Sequence, residues 1–266
     1  MTTLAKAIAS PLWQGLGVKF SRRVLLVLLL LAVWWLAARG APAYVLPGPE
    51  RVLAALGRLL AGDTFWRDLG ITFWRVLAGF TLAAVAGTAL GLLFGSRKGL
   101  GEFFEPVLAV TNSISSAIWA IFAIIWFGLS DASTIFVVFM TALPLILTNV
   151  WQGARAVRAD LVELAHSFRM SPPRVLQKIY LPSILPDFFS GARLAFGFGW
   201  RVSLVAETLG ASSGVGYRLR QAADLVQTDQ VFAWTITLVA LMVLIEFGVL
   251  KPLENYLFRW RREAEA

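Results

Sequence analysis

Six runs of this chain, residues 24–38, 71–94, 106–127, 133–151, 191–209 and 231–250, are strongly apolar. They constrain the fold more than any motif does. In a bilayer's hydrocarbon no water reaches a bare N–H or C=O, so a spanning segment must satisfy its own backbone, as a helix does. Crossing takes about 20 apolar residues, and the six runs lie near that length. Composition agrees: 58% of the 266 residues are hydrophobic and 15% charged, where a soluble domain carries about 25% charged residues. Mean hydropathy is +0.71. The expected fold is an all-α membrane protein with six transmembrane helices, a single domain over residues 1–266.

Several chemistries are excluded. The chain has no Cys and one His, His166, so disulfides, thiolate sites, Cys nucleophiles and His-cluster metal sites are ruled out. No catalytic residue and no metal ligand is expected. The segment Gly95-Ser96-Arg97-Lys98-Gly99 lacks the spacing of a phosphate-binding loop, so any nucleotide belongs to another chain. The +8 charge marks cytoplasmic loops in such a chain rather than nucleic-acid binding. A signal peptide competes for the basic start, but the apolar run begins late and has no small-x-small cleavage site before Pro42.

Between the runs, residues 41–49 hold Pro42, Pro47, Gly48 and Pro49 and form a bend. Residues 49–60 follow as an external amphipathic helix, with Val52, Leu53, Leu56, Leu59 and Leu60 on one face, expected to lie along the membrane surface. Gly79, Gly87 and Gly91 permit close helix packing. Pro144 should kink the fourth run. The third run opens with Thr111, Asn112, Ser113, Ser115 and Ser116. Polar groups at that depth must face protein or water, so they line a pathway or act as helix–helix glue. Trp119, Phe122 and Trp126 share a face, for a pathway or for core packing. Arg201 and Glu207 are charges within the fifth run. Six residues apart, they point to different faces and should not pair directly with each other; each meets the pathway, pairs with another helix (Arg75 being a candidate partner) or snorkels to an interface. Asn112, Ser115, Trp119, Arg201 and Glu207 are therefore the candidate pathway residues.

The longest polar interruption spans residues 160–182. Leu161, Leu164, Ala165 and Phe168 make one helical stripe; Ser171 is an N-cap and Pro172 suits the first helical position. A short second helix follows, with Arg174 and Lys178 on one side and Val175, Leu176 and Ile179 on another, and Pro182 and Pro186 are expected to stop it. The product is a helical elbow, basic on one side and apolar on the other.

On Glu163, Ala165, Ile179, Leu181 and Pro182 this elbow resembles the EAA loop of permease subunits of bacterial ABC importers, whose pattern is Glu-Ala-Ala, Gly, then Ile-x-Leu-Pro. Leu164 replaces the middle Ala and Arg169 stands at the usual Gly. Leu46-Pro47-Gly48-Pro49 with the helix after it resembles the sulfonate, taurine and nitrate branch. The resemblance implies a type I importer-like bundle with a cytoplasmic coupling elbow in which Glu163, Ala165, Arg169, Ser171, Pro172, Ile179, Leu181 and Pro182 contact the ATPase. It also implies two cytoplasmic ABC ATPase subunits that bind ATP and Mg, a second permease chain (the same or a different one), a periplasmic substrate-binding protein, and import of a small anionic solute. This chain itself would bind no cofactor. A secondary transporter driven by an ion gradient is the alternative reading.

Charge supplies an independent check on topology. With six crossings, both termini, the loop at Arg97 and the elbow fall on one side and collect sixteen of the 24 Lys and Arg, including Arg155, Arg158, Arg169, Arg174 and Lys178. The other side has Arg39, Arg51, Arg58, Arg67, Arg218 and Arg220. Basic residues favour the cytoplasm, which predicts an inner-membrane protein with both termini inside.

Overall fold

The computed structural model describes residues 11–252, the side chains of residues 11–23 and 98 excepted, and every regular element among them is helical. Lys6 and the basic tail at Arg259, Arg261 and Arg262 lie outside the described residues. The chain divides into two compact units, Met1–Leu59 with Ala222–Ala233 and Leu60–Gln221 with Trp234–Ala266.

The first unit contains α1 (Pro11–Arg39), α2 (Pro49–Leu60) and the first turns of α11 (Thr228–Ile245). The described side chains of α1 from Val24 to Leu36 are mostly exposed. The external helix forms with the expected bounds. Part of its apolar stripe packs on protein: Val52 and Ala55 are buried against Ala233, with Trp34, Leu56, Leu59 and Phe232 around them, while Leu53 and Leu60 stay exposed. Trp34 stacks on Phe232 at 5.9 Å and donates its indole N–H to the Pro47 carbonyl at 3.1 Å.

The second unit holds α3 (Asp63–Ser96), α4 (Lys98–Ser113), α5 (Ser116–Phe127), α6 (Asp131–Arg155), α7 (Ala159–Ser167), α8 (Pro172–Val175), a π-helical turn (Leu176–Tyr180) and α9 (Leu181–Gly210). After them come α10 (Val215–Asp224) and a second π turn at the end of α11 (Glu246–Leu250). Helices α3, α6 and α9 share a core of mostly small or branched side chains, Ala83, Ala142, Ile146, Val150, Ile184 and Ala195 among them. The glycines of α3 let two backbones meet. A Cβ at Gly79 would lie 2.8 Å from that of Val138, and one at Gly91 would lie 2.8 Å from that of Val150. The small-residue stripe thus serves α3–α6 packing.

By length and composition α3, α6 and Thr228–Leu250 suffice to cross a membrane, as does α4–α5 if the bent pair counts as one span. That pair corrects the expected continuous third run over 106–127. Its two helices meet at 92°. Ile114 is extended, and Ser115 caps α5 by accepting the Ala117 N–H. Thr111 and Ser113 donate back to the Val107 and Ala109 carbonyls of α4, both at 2.8 Å. Short polar side chains that bond to nearby backbone favour such breaks over helix interiors. Pro144, by contrast, sits inside an uninterrupted α6.

Pro182 and Pro186 do not stop the elbow's second helix. The chain runs from α8 through the π turn into α9 without leaving helical geometry. The π turn shifts the hydrogen-bond register just ahead of Pro182: the Leu181 N–H reaches the Leu176 carbonyl, one residue further back than in an α-helix. Ser183 and Ser190 then donate to the carbonyls of Ile179 and Pro186.

Candidate functional site

Three sites in the second unit carry the polar residues singled out by sequence. The first is the elbow. Helix α7 closes in a Schellman motif: the Met170 N–H donates to the Ala165 carbonyl at 3.0 Å and the Arg169 N–H to that of His166 at 2.8 Å. Arg169 occupies the left-handed position with φ 52°, the geometry for which glycine is the usual choice. Only Ala165 and Val175 are buried in α7 and α8. Leu164 and Phe168 are 55% and 75% exposed, and Glu163, Arg169, Ser171, Pro172, Leu181 and Pro182 are exposed as well, with Ile179 half-buried. Leu161, Leu164 and Phe168 of the stripe therefore face outward, while Ala165 packs inward. At the elbow's entry Arg158 donates to Asp160. These bonds hold the Asp160 carboxyl below its ordinary range, so the pair persists through neutral pH and is lost as the pH falls through that lowered value. Arg169→Gly should raise the thermal midpoint, because a left-handed non-glycine residue costs roughly 1–2 kcal/mol and glycine's looser unfolded chain returns only part of it. Differential scanning of the purified protein checks this.

The second site is a buried ionic network. Asp68, Thr72 and Arg75 follow one another at helical spacing along one face of α3, and all are buried. Arg75 commits every donor of its guanidinium. Nη1 binds Glu207 Oε1 and the Ser213 carbonyl, each at 2.8 Å; Nη2 binds Asp131 and Ser213 Oγ; Nε binds Asp131 at 2.9 Å. Glu207 is fully buried and also receives Thr72 Oγ1 at 2.9 Å and the Gly216 N–H at 2.9 Å. Asp68 accepts from the Gly214 N–H and from Arg218. The loop before α10 is thus tied to α3 and α9 through its own amides. Gly214 is required there: its φ is +97°, and a Cβ would sit 2.7 Å from both Glu207 oxygens.

The third site is a cavity of about 170 Å³ at the α4–α5 break, bounded by Thr111, Asn112, Ser116 and Trp119 at the break, Thr141 and Pro144 of α6, and Phe198 of α9. The Asn112 amide is exposed and has no hydrogen-bond partner among the described residues. One turn beyond Phe198, Arg201 is exposed and in no ion pair among the described residues; its guanidinium lies 5.5 Å over the Phe198 ring. Trp119 also packs with Phe122, and Trp119 and Trp126 both contact Phe136 of α6, so the shared aromatic face contributes to packing.

Of the five candidate pathway residues, the cavity collects Asn112 and Trp119, with Arg201 beside its Phe198 wall. Ser115 serves as a helix cap, and Glu207 belongs to the Arg75 network. Sequence reasoning named Arg75 as a possible partner but missed Asp68, Thr72, Asp131, Ser213 and Arg218. The spacing of Asp68, Thr72 and Arg75 along one helix face was the available signal.

Three close-packed helices, a broken fourth element and an exposed elbow define a membrane permease architecture, and a solved structure shares it. A chain of the inward-facing MetNI methionine ABC transporter superposes with TM-score 0.58 and 19% identity, covering 72% of this chain and 93% of that one. Residues 79–250 match the binding-protein-dependent transport system inner membrane component family, and the chain belongs to that family of ABC permeases. Its relatives include the putative aliphatic sulfonates transport permease protein SsuC of Escherichia coli K12, 32% identical over 229 residues (86% of this chain, 85% of that protein). The taurine transport system permease protein TauC of the same strain is 26% identical over 245 residues (89% and 88%).

Proposed function

We propose that this chain is the membrane-spanning, non-catalytic subunit of an ATP-driven importer that moves a small anionic solute of the sulfonate, taurine or nitrate kind into the cytoplasm. Two such permease chains would enclose the route, with six crossings each and both termini inside. Two ATPase subunits would bind ATP and Mg and grip the elbow, and a periplasmic binding protein would deliver the solute. The observation that carries this reading is the elbow: a basic and apolar knob, closed by a rigid Schellman motif, with Leu164 and Phe168 turned outward. Exposed apolar side chains grouped with charge mark a protein contact, and a stiff elbow transmits force where a loose loop would not. In the cavity at the α4–α5 break, Asn112 and Trp119 would contact the solute and Arg201 would supply its counter-charge.

The test is uptake of labelled taurine, an alkyl sulfonate and nitrate into vesicles holding the full complex, with ATP supplied after ion gradients are collapsed. Phe168→Asp should leave the permease folded while eliminating ATP-driven uptake and co-purification of the ATPase. A gradient-driven transporter is the second reading, favoured by the break at Ile114–Ser115, since discontinuous helices recur in that class. Uptake abolished by ionophores and indifferent to ATP would select it.

A further inference from the structure

Helices α3, α4 and α6 enclose an apolar groove of about 330 Å³, bounded by Leu93 and Phe94 of α3, Phe104 and Val107 of α4, and Leu143 and Leu147 of α6. Neither the elbow nor the proposed solute route uses it. Its floor is aromatic: Phe94 stacks on Phe104 at 5.1 Å, and Phe94, Leu147 and Trp151 form a buried cluster. The one hydroxyl on its wall, that of Thr111, already donates to the Val107 carbonyl at 2.8 Å, so the wall offers a polar solute no free side-chain donor. At one end Thr111, Met140 and Pro144 border both the groove and the cavity at the α4–α5 break, so the first stops where the second begins. At the other end Gly101 packs on the Trp151 ring and Gly95 on Ala154. The second of these contacts sets the C-terminal ends of α3 and α6 side by side. Arg97 follows α3 and Arg155 ends α6; both are exposed, and neither is in an ion pair among the described residues. The Arg155 guanidinium lies 5.7 Å over the Trp151 ring. Glu102 and Glu105 of α4 sit on other faces of that helix than Phe104, Leu108 and Thr111.

We infer that this groove holds one acyl chain of an anionic phospholipid from the elbow-side leaflet, with the lipid phosphate meeting Arg97 and Arg155. Charge is the first reason. The wall is apolar and the cations stand at one end only, as a lipid requires with its chain at depth and its charge at the interface. A soluble anion would use the cations and leave the groove bare. Length is the second. From Gly101 to Thr111 α4 rises about 15 Å, the depth of one leaflet in a hydrocarbon core about 30 Å thick. Width is the third. A helix of a second copy, about 10 Å across, would fill about 1,200 Å³ over that length, several times the space present. The inference takes from the importer reading only the side of the membrane, the cytoplasmic one, whose anionic lipids attract basic groups near the surface.

The experiment adds phosphatidylglycerol or phosphatidylcholine with the same acyl chains to the delipidated full permease–ATPase complex and reads retained lipid by native mass spectrometry. The unsubstituted complex should hold phosphatidylglycerol at least about tenfold more tightly, since each nearby basic residue adds to the attraction for an anionic head. Arg97→Gln combined with Arg155→Gln should bring the two lipids level. Val107 is 54% exposed on the groove wall. Val107→Trp should cut retention of both lipids by about fivefold, because the indole fills space the chain needs, and should leave the melting midpoint unchanged. Equal retention of the two lipids by the unsubstituted complex overturns the proposal, as does a preference that survives loss of both arginines. Full retention in a folded Val107→Trp complex overturns it too; if that variant also separates the two permease chains, the groove belongs to a second copy. Should Val107→Trp fail to fold, the arginine pair decides. None of these readouts involves transport, so the importer reading stands or falls separately, on uptake.

Discussion

Glu207→Ala should lower the stability of the permease by about 3–5 kcal/mol, enough for the purified chain to aggregate or fall from the membrane fraction. Truncation leaves Arg75, which is 2% exposed, as an uncompensated buried cation, and losing one partner of a buried pair costs about that much. It also strands the Gly216 amide and the Thr72 hydroxyl, both of which bond to this carboxylate. Arg75→Ala should be as damaging, because two carboxylates and the Ser213 carbonyl lose their donor together. Asp131→Asn is the informative contrast. Its side chain is 64% exposed and Arg75 keeps its other partners, so the loss should stay below about 1 kcal/mol, the usual scale for an ion pair open to solvent. Thermal unfolding monitored by tryptophan fluorescence in detergent measures all three. Equal loss for Asp131→Asn and Glu207→Ala would show that burial does not set the hierarchy.

Arg201→Ala should reduce uptake by at least about tenfold while the permease still assembles and its ATPase partner still turns over. The first half follows from charge. A guanidinium beside the cavity's Phe198 wall, without an ion pair among the described residues, is the available counter-charge for an anion, and a hydrogen bond to a charged group is worth about 1.5–3 kcal/mol. The second half follows from exposure, because substitutions away from buried features usually change stability by within about 0.5 kcal/mol. Arg201→Lys should retain part of the uptake, since it keeps the charge and loses the planar fork. Failure of Arg201→Ala to assemble would make the residue structural and remove the solute-contact role.

How much was legible differed from site to site. Apolar runs and the elbow's spacing announced a helical membrane protein and its permease family, because hydrophobic periodicity and punctuation by Ser and Pro are local properties. Arg169 at the usual glycine position argued against a left-handed turn, since a side chain there carries a cost, yet the residue adopts it with φ 52°. What sequence concealed was set at a distance. Whether Glu207 faced solute or another helix depended on Arg75, which lies 132 residues away in the chain. The break at Ile114–Ser115 lies within the polar stretch 111–116, whose short side chains favour it, but the apolar residues on either side read as one rod. Pro182 and Pro186 were over-interpreted, since a single π turn accommodates a proline that an ideal α-helix would reject.

The guanidinium of Arg75 has no donor in reserve. A cation in that state cannot trade partners one at a time, because moving α9 or the loop at Ser213 away from α3 would rupture several contacts before any replacement could form. Intermediate displacements at that end of the bundle are therefore disfavoured. Motion there should come in whole steps, like a ratchet tooth that is either seated or lifted clear.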